Sequence, residues 1–308
     1  MPEISRRRLL ALAASAAAAS SPLRAAHHEG GAPTLCLFSK HLPHLDYPEL
    51  AKALKAWGFG GVDLTVRPKG HVLPENAEND LPRAHAALQT EGIALPMITT
   101  GLTSIQDPAA RPTLYTAAQL GVEYFKVGYY RLRDLSQMTA MTARVKQDVD
   151  GLAALAAHAK ITGGFHNHSG AYVGSAVWDS YRILEDVSPQ KIGFYFDPCH
   201  ATIEGGKAGW EMAFELVKPR IKMVACKDFY WEKSGGKWQS RMCPLGQGMV
   251  DYPRFFSLLK ASGFEGPISL HVEYEIDGPT EAARREKTAE AIEQDFAYLR
   301  SQVEKAWA

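Results

Sequence analysis

The chain is poor in cysteine: Cys36, Cys199, Cys226 and Cys243 are its only four in 308 residues, and no two form a C-x-x-C pair. That excludes a small disulfide-built scaffold and thiolate zinc modules, and buried free thiols are expected rather than bridges. No run of about twenty apolar residues is present, so no segment reads as a stable membrane span. No excess of one charge exists either, since 34 Lys and Arg balance 34 Asp and Glu. There is no basic stripe with interleaved aromatics, which argues against nucleic acid as a partner. Walker and dinucleotide-binding glycine patterns are absent as well, and Gly246-x-Gly248 reads as a turn.

The N-terminus departs from this average. Ser5-Arg6-Arg7-Arg8-Leu9-Leu10 leads into an Ala-rich apolar run ending at Ala19, followed by Ser20-Ser21-Pro22. A charged start, a short apolar stretch and small residues are the anatomy of an export signal, and the paired arginines give it a twin-arginine form. Residues 1–26 are therefore read as a signal, 27–32 as a linker and 33–308 as the catalytic domain. The expected location is the periplasm. Removing residues 1–26 takes away four arginines and one glutamate and leaves the remainder at about −3.

From residue 33 onward two kinds of segment alternate. Short β-branched or aromatic runs read as strands at Thr34–Phe38, Gly61–Thr65, Leu95–Thr99, Tyr124–Val127, Thr162–Phe165, Ile192–Phe196, Ile221–Cys226 and Ile268–Val272. Between them, helical spacing predicts helices over 47–57, 81–91, 108–119, 136–160, 176–186, 207–217, 252–261 and 279–303. Asp46 and Asp251 stand where N-caps are needed, and Gly58, Gly92, Gly121 and Gly263 where helices stop. Eight strand–helix units in strict order predict one α/β domain, a single (β/α)8 TIM barrel. Two connections are long, Val66–Asn79 and Lys227–Val250, and are read as binding loops or lids.

Barrel active sites lie at the C-terminal ends of the strands. Of eleven histidines, seven follow predicted strands: His41, His44, His71, His166, His168, His200 and His271. Alternation turns His166 and His168 the same way and Asn167 the other, and puts His271 and Glu273 on one side. Asp197 ends the sixth strand. Two imidazoles and a carboxylate from neighbouring strands suit a divalent ion, so His166, Asp197 and His271 are expected as ligands of Mn, Co or Zn. His168 and His200 are read as substrate contacts or partners of the ligands, and His41 and His44 as loop residues. Lys227 and Lys126 sit at the ends of the seventh and fourth strands. There an amine walled by aromatics would have a depressed pKa useful in proton transfer. The plainer alternative for Lys227 is a rim pair with Asp228. Tyr129, Tyr130, Phe229, Tyr230, Trp231 and Trp238 fit sugar stacking or simple lid packing.

Several stretches together resemble the xylose-isomerase-like TIM-barrel superfamily over roughly 33–300. They are Gly70-His71-Val72-x-Pro74-Glu75, His166-Asn167-His168, Phe196-Asp197-x-x-His200-Ala201, Lys227-Asp228, Pro244-Leu245-Gly246-x-Gly248 and Gly266-Pro267-Ile268-Ser269-Leu270-His271-x-Glu273. The resemblance implies sugar isomerase or epimerase chemistry and a metal held by Glu, Asp, His and Glu from strands five to eight. The matching positions here are His166, Asp197, Ala225 and His271, so only the aspartate is kept. The two glutamates of that family also shuttle the proton. With histidines in their place, another group must move it, and Glu273, Lys227, Lys126 and His200 are the catalytic candidates. His71, His168 and Trp231 are the candidate substrate contacts.

Three functions are compatible with this pattern. The first is a metal-dependent isomerase or epimerase that abstracts a proton next to a sugar carbonyl. The second is a lyase that eliminates the aglycone of a 3-keto-glycoside through the same enolisation. The third is a non-catalytic periplasmic sugar-binding barrel. The expected partner is a small carbohydrate in each case, and nothing in the sequence opposes a homo-oligomer.

Overall fold

The computed structural model describes residues 31–308. The signal expected over residues 1–26 and most of the linker lie outside the described residues. Eight parallel strands close into a barrel in which each pairs with the next along the chain and the last with the first. They are β1 (Leu35–Phe38), β2 (Gly61–Val66), β3 (Ala94–Thr100), β4 (Tyr124–Lys126), β5 (Thr162–His166), β6 (Ile192–Phe196), β7 (Ile221–Cys226) and β10 (Ile268–Leu270). Helices α1 (Tyr47–Trp57), α2 (Ala77–Thr90), α3 (Ala110–Gln119), α4 (Met138–Ala159), α5 (Trp178–Leu184), α6 (Pro198–Val217), α7 (Tyr252–Ala261) and α8 (Glu281–Trp307) alternate with them. The predicted (β/α)8 barrel is the observed fold.

Local chemistry explains the boundaries. Asp46 caps α1 with a reciprocal capping box to Glu49, and Asp251 accepts from the Arg254 amide at the start of α7. Gly58, Gly92, Gly121 and Gly263 all take positive φ, the conformation that ends a helix and that side chains resist. Apolar side chains between strands and helices form one continuous layer. In it Phe196, Phe214 and Phe255 meet with ring centroids about 6 Å apart. Each such fully buried ring contributes roughly 1.5–3 kcal/mol. Inside the barrel Met97, Tyr195, Met223 and Ala225 fill one level, and a Cβ at Gly164 would overlap Met223 there. Above them the lining turns polar, with Asp63, Lys126, His166, Asp197, Lys227 and His271 all buried.

Two segments differ from the sequence expectation. Lys227–Val250 is not simply a loop: β8 (Asp228–Ser234) and β9 (Lys237–Cys243) pair as an antiparallel hairpin. Its turn is Gly235-Gly236, both at positive φ, a two-residue connection that matches strand twist. Helix α6 begins at Pro198 instead of 207, because Asp197 caps it and Pro198 suits its first turn. The break expected near 207 survives as a kink at Gly206. All four cysteines are buried and unpaired.

The hairpin is anchored from beneath by Asp228, whose carboxylate accepts from the backbone amides of Phe229, Gly246, Gly248 and Val250 at 2.8–3.2 Å. Gly248 must be glycine, because a Cβ would overlap that carboxylate. The Gly246-x-Gly248 turn is thus a cradle for an internal anion. Asp228→Asn places an amide N–H against amide donors. It should lower stability by about 2 kcal/mol, seen as a lower urea midpoint with an unchanged denaturant slope.

Candidate active site

Asp197 is the centre of the mouth. Its Oδ1 accepts from the His200 amide at 2.9 Å as the N-cap of α6, which leaves Oδ2 facing the barrel axis. Asn167 clamps the same residue from the neighbouring strand, donating to the Asp197 carbonyl at 2.9 Å and accepting from its amide at 2.8 Å. The opposite orientation expected for Asn167 thus serves to lock β5 to β6. Around Oδ2 stand His166 Nε2 at 3.3 Å, Lys227 Nζ at 3.2 Å and His200 Nε2 at 3.7 Å. Lys227 also reaches Glu273 at 2.7 Å, and Lys40 holds the other Glu273 oxygen at 2.8 Å from the rim. Lys227 therefore pairs inward with these two carboxylates and not with Asp228.

Burial and charge set the protonation states. Burial alone would lower the Lys227 pKa, but Asp197 and Glu273 outweigh it and hold the ammonium above its ordinary range. Burial would raise both carboxyls; the ammonium outweighs it, so Asp197 and Glu273 titrate below their usual range. His166 and His200 are pushed well below the usual imidazole value, first by burial and then by Lys227, so both are neutral at pH 7. Lys126 behaves in the opposite way to Lys227. Burial lowers its pKa to about 7, Arg67 and Lys227 add to the shift, and Asp63 only partly opposes it. Its Nζ donates to the Val127 carbonyl at 2.7 Å and lies 3.6 Å from the centre of the Tyr129 ring.

Among the described residues, one group combines three metal-ligating side chains within 4.8 Å of one another: His166, Asp197 and His200. The donor set fits a divalent ion. His200 Nδ1 lies 2.8 Å from Ser169 Oγ, and its buried Nε2, 3.7 Å from Asp197 Oδ2, has no hydrogen-bond partner among the described residues. An imidazole nitrogen without a partner beside an ionised carboxylate is an arrangement a bound cation can join. His271, expected as the third ligand, is not one of these three. Its Nε2 lies 3.0 Å from the Tyr195 hydroxyl.

The remaining sequence-derived candidates surround this cluster. The His168 ring lies tilted 4.1 Å from the His200 ring and meets Tyr129 edge-on at 4.8 Å, and its Nδ1 donates to the Ser169 carbonyl. His71 lies beside β2, its amide bound to Thr65 Oγ1 at 2.9 Å, and burial lowers its pKa. Trp231 sits on the hairpin and lines a separate cavity of about 320 Å³ with Thr202, Lys207 and Trp210. Glu273 also lines a cavity, of about 860 Å³, between the hairpin and the segment after β10. His41 is not merely a loop residue, since its Nε2 accepts from the Val272 amide at 3.1 Å.

Sequence reasoning missed Asp63, Tyr195, Ser169 and Lys40. Asp63 carried the clearest signal, a carboxyl in the middle of an otherwise uncharged strand. Lys40 carried none, because its partner Glu273 is 233 positions away.

The chain belongs to the xylose isomerase-like TIM barrel family, whose model matches residues 51–302. Solved structures with this fold include a xylose isomerase domain protein from Planctomyces limnophilus, 15% identical over 90% of this chain and 99% of the other, TM-score 0.66. Another is a xylose isomerase-like TIM barrel protein from Mycobacterium smegmatis in complex with magnesium, 16% identical over 91% and 100%, TM-score 0.65. A third is the 3-keto-D-glucoside 4-epimerase of E. coli, 15% identical over 87% and 99%, TM-score 0.66. At these identities the likeness is one of fold. No curated protein matches the chain significantly in sequence.

Two measurements test the site. The unfolded chain keeps a lysine proton to about pH 10.5, whereas folded Lys126 gives it up near 7. Between those values the unfolded state binds the extra proton, so stability rises with pH from about 7 to about 10.5 and the penalty is constant below 7. Lys126→Met should flatten that slope and stabilise the protein by about 3–5 kcal/mol below pH 7. Separately, His200→Ala should weaken Mn²⁺ or Zn²⁺ binding at least about tenfold, and more than His271→Ala does. Equal losses would restore His271 as the third ligand.

Proposed function

We propose that this barrel is a metal-dependent enzyme of the sugar isomerase/epimerase kind, which removes a proton from the carbon beside a carbonyl of a small carbohydrate. The observation that carries the reading is the convergence, in one buried mouth, of the His166–Asp197–His200 donors with two lysines of opposite protonation tendency.

A divalent ion held by those donors would supply electrophilic polarisation of the carbonyl. Lys126, with a pKa near 7, exists partly as the free amine at neutral pH and is the residue suited to take up the carbon-bound proton. Lys227 remains an ammonium and is suited to donate a hydrogen bond to the oxygen on which negative charge develops. Glu273 and Asp197 hold Lys227 in place. The depressed pKa of Glu273 makes it a poor base, so its role is orientation of the ammonium. His166 and His200 are neutral and act as ligands, and Tyr129 together with His168 forms an aromatic wall for the sugar.

The second reading, elimination from a 3-keto-glycoside, draws support from the cavity of about 860 Å³ that begins at Glu273. It gives room for a group attached to the reacting sugar, and the initial proton abstraction is the same.

Incubating the manganese- or zinc-loaded protein in D₂O with a free ketose and with a 3-keto-glycoside divides the readings. Deuterium incorporation without release of the aglycone supports isomerisation, and release supports elimination. In either case Lys126→Met should lower the exchange rate by about 100-fold or more. Binding of sugars with no exchange in any of them would support the non-catalytic barrel.

A further inference from the structure

Below the metal-ligating cluster lies a second polar group that the reading above does not use. Asp63, in the middle of β2, has no solvent exposure. Three hydroxyls converge on its carboxyl group: Thr99 donates to Oδ1 at 2.7 Å, and Tyr195 and Ser269 donate to Oδ2 at 2.9 and 3.0 Å. These residues come from β3, β6 and β10, so one carboxyl ties four strands together across the barrel axis.

A tyrosine hydroxyl has a single hydrogen, and Tyr195 gives it to Asp63. Its oxygen can then only accept from the His271 Nε2 that lies 3.0 Å away. The neutral His271 ring then carries its proton on Nε2 and its lone pair on Nδ1. That Nδ1 is buried and has no hydrogen-bond partner among the described residues. Phe38 stacks on the ring at 4.3 Å and limits its rotation.

We propose that Asp63 is a positioning residue which, acting through Tyr195, locks His271 as the Nε2–H tautomer and so presents the Nδ1 lone pair as a fixed acceptor. A hydroxyl of a carbohydrate is the chemistry such an atom receives. The tautomer is a property of the protein without substrate, so its test stands apart from the isomerase reading.

The experiment is ¹⁵N–¹H long-range correlation NMR on protein labelled at histidine, free of substrate and metal, with His271→Gln used to assign the His271 signals. In the wild type the Nε2 of His271 should resonate as a protonated nitrogen and Nδ1 as an unprotonated one. Asp63→Asn can donate its amide N–H to the Tyr195 oxygen, which turns the tyrosine hydrogen towards His271. The tautomer should then shift to Nδ1–H. Tyr195→Phe should give a mixture of the two. Thr99→Val removes one hydroxyl from Asp63 without touching the relay and should leave the wild-type pattern. It serves as the control for general loosening of the barrel. A wild-type His271 protonated on Nδ1 would overturn the proposal. So would an unchanged Nε2–H tautomer in well-folded Asp63→Asn and Tyr195→Phe variants.

Discussion

Asp197 carries a carboxylate into a place with no solvent exposure, and the mouth of the barrel is organised around that one charge. One oxygen is committed to the first turn of α6, while Asn167 clamps the residue's backbone from β5. The second oxygen meets Lys227, whose ammonium is shared with Glu273. A buried charge left without its partner costs about 3–5 kcal/mol, so the pair is kept intact by the fold as much as by function. His166 Nε2 at 3.3 Å and His200 Nε2 at 3.7 Å complete the surroundings of Oδ2.

The same burial acts on two lysines and produces opposite results. Lys227 has two carboxylates against it and keeps its proton; Lys126 has an aromatic face, a carbonyl and nearby cations, and loses it near neutrality. The two amines, at the ends of strands four and seven, are thus set apart as a fixed cation and a group that is partly free base at neutral pH.

The fold was legible because each unit announces itself locally. Asp46 and Asp251 cap helices, and Gly58, Gly92, Gly121 and Gly263 stop them at positive φ. The hairpin was less so: its strands carry charge on exposed faces, and only Gly235-Gly236 marks the turn. At the site, the strand-end pattern brought out His166, Asp197, His200, Lys126 and Lys227, since position along a parallel strand fixes height in the barrel. What it could not resolve is which of two histidines faces the carboxylate. That depends on the level of each side chain inside the barrel, where Tyr195 and Asp63 engage His271 and leave His200 beside Asp197. Contacts between distant strands, such as Asp63 with Ser269, have no local signature at all.

The proposed divalent-cation site offers two neutral imidazoles and one ionised carboxylate before any ion is bound. Calorimetric titration of the metal-free protein with Mn²⁺ or Zn²⁺ at pH 7, repeated in buffers of different ionisation enthalpy, measures both stoichiometry and protons released. Neutral imidazoles at His166 and His200 and an ionised Asp197 predict one ion per chain with almost no net proton release. The absence of binding, or the release of one or more protons per ion bound, would contradict it.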